Sequence, residues 1–383
     1  MRDVSIIGIG RIPVGEHWES SLRMLAAEAA SAALKDAGIT AVDALYVGNA
    51  YGATYSSQLH LGALIADYAG LGGIEAFSVE AADASGGAAL RAGYLAVASG
   101  LVDTVMVLGV EKSTDSIGSA RVQARTISLD ADYEAAHGAT LPALAALLMR
   151  RYMHEYKLEL GVFEGFSINA HANGALSDYA MFRNKIKPGR FAVAPMVSEP
   201  VNLFDGAPDG DGAAAVILTA AVHAADMVPL PVRISGSAAA TDTLTLHDRS
   251  DMLYLRAVNQ SANKAYAQAG IQPEDVHLFE LHDAFTILSA LTLEAAGFAE
   301  RGQGWVLARD QGITLTGKLP ISTFGGLKAR GNPAGATGVY QAVEACLQLR
   351  DQAGANQVAG ARTALIQNIG GLGSTVVTHV LQV

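Results

Sequence analysis

Apolar residues recur along this chain in two rhythms. Short runs such as Ala44-Leu45-Tyr46-Val47-Gly48 and Val105-Met106-Val107-Leu108-Gly109-Val110 are almost continuously apolar. That pattern predicts strands buried on both faces. Between them lie longer segments with helical spacing. One runs from Leu25 to Ala37 and is closed by Gly38, since glycine can end a helix in the left-handed region without a Cβ penalty. The segment from Ala257 to Ala269 repeats it, with Gly270 as the stop and Ala-Gly-Ile at the end of both. A strand follows each, Ala44 to Gly48 in the first case and Val276 to Leu281 in the second.

The repetition continues downstream. Ser85 to Tyr94 and Pro333 to Tyr340 each open an almost uncharged helix with small residues, which predicts helices with little solvent-facing surface. Strands from Val105 to Val110 and from Ala364 to Asn368 come next. The chain therefore reads as two related α/β halves, with parallel sheets covered on both faces and an α-β-α-β-α layering. Residues 119–197 interrupt the first half and are richer in charge and aromatic rings, as in Arg150-Arg151-Tyr152. Such an insertion is either a plain surface feature or a lid over a binding site. The boundaries expected are 1–118 with 198–225 for the first half, 119–197 for the inserted loop region, and 226–383 for the second half.

Composition narrows the possibilities. Half of the residues are hydrophobic and 16% are charged, so a large buried core is available. A net charge of −11 argues against binding nucleic acid or an anionic membrane. No apolar run reaches membrane-spanning length and Val4 to Ile7 already reads as a strand, so a cytoplasmic protein without a leader is expected. The single cysteine, Cys346, sits at a buried helical position and is expected to be structural. The ten histidines show no metal-ligand spacing, so no metal is expected.

One turn stands out chemically. Phe77 to Val79 reads as a strand, Glu80 to Ala82 as a turn, and a helix of small residues follows. Asp83 stands at its entrance, where free N–H groups stabilise negative charge. A thiolate would be stabilised there too, but a carboxylate is a much poorer nucleophile. Asp83 can also be read as a plain helix cap.

Several blocks, taken in order, resemble the thiolase superfamily, in particular its archaeal and sterol-carrier-protein branch. They are Glu80 to Leu90, Asn202 to Ala207, Asp242 to Arg249, Leu281-His282-Asp283-Ala284-Phe285-Thr286, Gly325 to Gly338, and Gln367-Asn368-Ile369-Gly370-Gly371. The resemblance covers essentially the whole chain. It implies a duplicated thiolase fold, five-layered α-β-α-β-α with an inserted loop domain, and chemistry at a carbon–carbon bond beside a coenzyme A thioester. The family's nucleophilic cysteine falls at position 83, its second cysteine at 284 and a histidine at 332. Here those positions hold Asp83, Ala284 and Asn332, and only His282 matches.

These losses change the expected chemistry. Thiolysis needs a thiolate to carry the acyl group and a second group to move the α-proton. What the resemblance leaves is an oxyanion site built from His282 and Asn332. Asp83 then reads as the general base of a retro-aldol cleavage of a β-hydroxyacyl-CoA, as in cysteine-less superfamily members that act as aldolases on steroid side-chain thioesters. His282 can alternatively be a satisfied core histidine and Asn332 a helix cap. Tyr340 is read as a proton-transfer partner or a core residue. Gly331, Gly370 and Gly371 are read as backbone approaching coenzyme A, which enters as part of the substrate and not as a permanently bound cofactor. Arg183, Lys185 and Lys187 meet its phosphates or are solvated, and His247 with Asp248 forms a structural link or a CoA-side contact. A non-catalytic subunit and an acyltransferase with an atypical site remain as alternatives. The resemblance also implies a homodimer through edge strands and a small partner with a zinc ribbon and an OB-fold.

Overall fold

Eleven strands form in the computed structural model, which describes residues 1–383. They are β1 (Val4–Arg11), β2 (Ala44–Gly48), β3 (Glu75–Val79), β4 (Thr104–Glu111), β5 (Met196–Ser198), β6 (Val201–Asn202), β7 (Gly212–Ala220), β8 (Val232–Thr241), β9 (Leu278–Glu280), β10 (Thr363–Gly370) and β11 (Thr375–Gln382). Nine of them run in the order β3-β2-β4-β7-β1-β8-β11-β10-β9, and β5 pairs with β6 apart from the rest. The two halves meet between β1 and β8 through two residue pairs, Ser5 with Arg233 and Ile6 with Val232.

Read outward from that junction, the order β1-β7-β4-β2 in one half matches β8-β11-β10-β9 in the other. The directions match as well. The two inner pairs of each half are antiparallel, and the outer pairs, β4 with β2 and β10 with β9, are parallel. The expectation of purely parallel sheets is thus corrected to a mixed sheet. The physical reason is that β10 turns directly into β11 through Gly371 to Ser374, with no crossover helix, so those strands must run antiparallel. The predicted helix stops hold, for Gly38 and Gly270 both adopt left-handed φ values, 67° and 68°.

Three apolar cores separate five layers. The outer helix Leu22–Ala37 packs on the first half-sheet around Ile7, Leu25, Val47 and Ile217. Two helices, Ser85–Ser99 and Thr337–Leu349, lie between the half-sheets around Leu90, Val107, Val339 and Val343. The outer helices Arg256–Ala269 and Thr286–Ala295 cover the second half. The insertion packs there too. Its helices Leu141–Tyr156 and Glu164–Gly174 bury Leu144, Leu148 and Phe166 in one core with Ile287, Leu288 and Leu291. No helix is long and apolar enough to cross a membrane.

The two central helices begin against one another. A Cβ on Gly86 would sit 2.8 Å from the Gly335 carbonyl oxygen. Only small residues allow that approach, which explains the uncharged, small-residue openings of both helices and brings residue 83 near residue 332.

Candidate functional site

Asp83 enters through a tight turn. Ala82 has φ 50°, a left-handed value that costs a residue with a Cβ of order 1 kcal/mol. Ser85 holds the turn: its hydroxyl donates to the Ala82 carbonyl at 2.5 Å and accepts from the Ala81 N–H at 2.9 Å. The helix starts at Ser85 with Ala84 as its N-terminal flank and no side-chain cap. Asp83 is therefore not the cap, which removes the bland reading of this residue. Its carboxylate accepts the Tyr51 hydroxyl at 2.8 Å and pairs with Arg125, which also pairs with Asp209. Arg125 lies over the Tyr51 ring, 5.4 Å from its centroid.

Asn332 approaches from the second central helix. Its backbone N–H donates to Pro208 at 2.9 Å, and its side-chain oxygen accepts the Thr337 hydroxyl at 3.0 Å. That oxygen takes no backbone N–H, so Asn332 is not a helix cap either. Its amide nitrogen is left without a partner in the chain, and the residue lines the main cavity.

His282 is fully buried beyond the cavity wall; Ala284, two residues on, reaches the cavity. A hydrogen-bond chain fixes its tautomer. The Gly87 N–H donates to the Asn368 side-chain oxygen at 3.0 Å, so the Asn368 amide nitrogen must donate to His282 Nδ1 at 3.2 Å. The ring proton then resides on Nε2, which is buried and has no partner. Burial pushes His282 down to about 4, with Asp83 opposing that shift. The imidazole is neutral near pH 7 and holds an unused donor, unlike a satisfied core histidine.

The remaining candidates divide. Gly371 lines the cavity. Gly370 does not, but a Cβ there would lie 2.5 Å from the Ala81 oxygen, so its smallness lets β10 pass under the Asp83 turn. Gly331 ends the helix Gly326–Arg330 at φ 107° and faces Val14, away from the cavity. Tyr340 does not join the site. Its buried hydroxyl donates to the Ile12 carbonyl at 2.8 Å, which commits it to the core, and burial raises its pKa. His247 and Asp248 are exposed neighbours outside the cavity. Lys185 and Lys187 line the cavity with Arg190, whereas Arg183 pairs with Asp178 on the surface.

The cavity has a volume of about 940 Å³. Asp83, Arg125, Asp209 and Asn332 form one polar end, and the insertion supplies apolar walls such as Leu141, Phe182 and Ile186. Sequence reasoning missed Arg125, Asp209 and Lys328 at the cavity, and Tyr51, which holds Asp83 from behind. The buried Lys328 amine donates to the Leu203 and Gly206 carbonyls at 3.1 and 2.7 Å, and burial lowers it to about 8. Tyr51 follows β2, at the carboxyl end of the parallel strands where open α/β sheets bind ligands. That rule offered a signal for Tyr51, while nothing in the insertion singled out Arg125.

The architecture and the site together define an α/β enzyme of the thiolase class. Residues 4–195 match the thiolase N-terminal domain and residues 238–383 the thiolase C-terminal domain-like family, and the chain belongs to the thiolase superfamily, in its sterol-carrier-protein-like branch. It is 41% identical to an acetyl-CoA acetyltransferase of Methanothermobacter thermautotrophicus, over 99% of both chains. It is 30% identical to human sterol carrier protein 2, over 99% of this chain and 72% of that one. Among solved structures it resembles an Ltp2-ChsH2(DUF35) aldolase, with a TM-score of 0.85 and 25% identity over 99% of this chain and 97% of that chain. The acetyltransferase and the aldolase are named as enzymes.

Proposed function

We propose that this chain cleaves a carbon–carbon bond in a β-hydroxyacyl-CoA by a retro-aldol reaction. The observation that carries this reading is a carboxylate, Asp83, facing the cavity where the family places its thiol, with Asn332 presenting an unused donor beside it. Asp83 accepts the β-hydroxyl proton. The bond between the α and β carbons then breaks, its electrons pass into the thioester enolate, and the β carbon leaves as an aldehyde or ketone. The enolate oxygen is stabilised by the Asn332 amide at the cavity, with His282 Nε2–H, buried behind the wall at Ala284, as a second donor that must come into reach when substrate binds. Return of the proton from Asp83 to the α carbon gives the shortened acyl-CoA. Preorganised donors of this kind contribute on the order of 3 kcal/mol each.

A thiol-based acyl transfer has little to work with. Cys346 is fully buried and burial pushes its thiol up to about 12, so no thiolate is available to carry an acyl group. The 41% identity to an acetyl-CoA acetyltransferase keeps acyl transfer as a second reading, with another nucleophile. Lys185, Lys187 and Arg190 at the cavity support a phosphate-bearing substrate such as a CoA thioester. The edge strand β3, with Phe77 exposed, supports a homodimer through that edge. The aldolase neighbour, a complex by its name, supports a small partner protein.

The test is incubation with β-hydroxyacyl-CoA thioesters of increasing acyl size, with both products followed by mass spectrometry. Shortened acyl-CoA and a carbonyl product from the wild type, lost in Asp83→Ala, are the expected result. No cleavage by the wild type overturns the reading, and an acyl adduct on the intact chain establishes the second one.

A further inference from the structure

The first helix of the insertion, Gly118–Arg125, has no fully buried residue. Polar contacts seat it instead. The Thr54 hydroxyl donates to the Ala124 carbonyl at 3.2 Å and the Tyr55 hydroxyl to the Arg121 carbonyl at 3.4 Å. At its end Arg125 bridges two carboxylates from the body of the protein, Asp83 and Asp209. The Arg125 side chain is only 15% exposed. A guanidinium is costly to bury unless paired, and two neighbouring carboxylates repel unless a cation lies between them. Each group thus makes the others tolerable in this place.

The consequence for Asp83 is geometric. Oδ1 accepts from Tyr51 at 2.8 Å and Oδ2 pairs with Arg125, so both oxygens are held and the carboxylate plane has one orientation. We propose that Arg125 is the positioning residue for Asp83, and that Asp209 is the anchor that holds Arg125 in place. The insertion that shapes the acyl cavity thereby also sets the aim of the reacting carboxylate. A carboxylate aimed correctly reacts far faster than one free to rotate, since small misplacements at a reacting centre cost about 10²-fold. This inference rests on the reading of Asp83 as the proton acceptor, but its geometry can be tested separately.

The experiment has two arms. In the first, Asp83→Asn, Arg125→Ala and the double variant are melted. The ion pair predicts that the double variant melts no lower than Arg125→Ala alone, because the two residues act through each other; additive losses overturn the proposal whether or not the protein is a lyase. In the second, cleavage kinetics are measured on a β-hydroxyacyl-CoA that the wild type cleaves. Arg125→Ala is expected to lose kcat by at least about tenfold with KM within about twofold, and Arg125→Lys to regain most of that loss. Asp209→Asn is expected to lose kcat by less and to add nothing to Arg125→Ala. An unchanged kcat in Arg125→Ala, or a loss confined to KM, overturns the positioning role. A wild type that cleaves nothing overturns the reading of Asp83 alone, and the melting arm still decides the coupling.

Discussion

The two central helices open onto the same cavity in opposite ways. The entrance at Ser85 presents a carboxylate whose two oxygens are both held, one by Tyr51 and one by Arg125. The entrance at Thr337 presents Asn332, whose amide nitrogen is unused, and the unpartnered His282 Nε2 lies buried beyond the cavity wall. One side is a fixed acceptor and the other offers free donors. The duplication supplied two similar helix starts, and the chemistry comes from filling them differently. A proton acceptor must be aimed before the reaction, whereas an oxyanion donor must be free until charge develops.

The comparison can be broken first at the acceptor. Asp83→Ala is expected to lower kcat for β-hydroxyacyl-CoA cleavage by on the order of 10²–10⁴-fold with the fold retained by circular dichroism. Activity near that of the wild type would move the acceptor elsewhere. On the donor side, Asn332→Ala and His282→Ala are each expected to lower kcat by roughly 10²–10³-fold, less than the loss at Asp83 in the same assay.

Stability tests the donor side without substrate. Burial pushes both His282 and His379 down to about 4. In the unfolded chain each binds a proton near pH 6.5, and in the folded chain only near 4. Their neutral forms are favoured by the fold, so this contribution is present above pH 6.5 and is lost as pH falls toward 4. Relative to the wild type, His282→Gln is expected to lose less stability over that window, by roughly 2–3 kcal/mol at its acid end in denaturant unfolding. The smallest effect is expected at Tyr340→Phe. Loss of its bond to Ile12 should cost about 1–2 kcal/mol in the same measurement and leave kcat unchanged; a fall in kcat would return Tyr340 to the site.

Much of this was legible in the residues. The Gly38 and Gly270 stops, the small-residue helix openings and the strand Ala44–Gly48 follow from local chemistry that tertiary packing did not override. The direction of β11 was not legible, because continuous burial looks the same in parallel and antiparallel strands. Asp83 and Asn332 were found because their positions in matched blocks departed from a pattern. Arg125 was invisible, since a charged residue in a polar helix looks solvated until the fold brings two carboxylates to it. Tyr340 was misleading for the opposite reason: its helix leads to the site, but already in the first turn it points into the core.

The insertion leaves the first half and buries its apolar face against the second. That has a consequence for synthesis. When the ribosome has made residues up to about 225, Leu144, Leu148 and Phe166 lack the second-half share of their core, since Ile287, Leu288 and Leu291 do not yet exist. A nascent chain with such surface exposed is prone to aggregate. The first half is thus expected to need shelter until about 70 further residues emerge, which takes roughly 4–14 seconds at typical elongation rates. A chain truncated at residue 225 should be found in the insoluble fraction, and co-expression of the second half should bring it into solution.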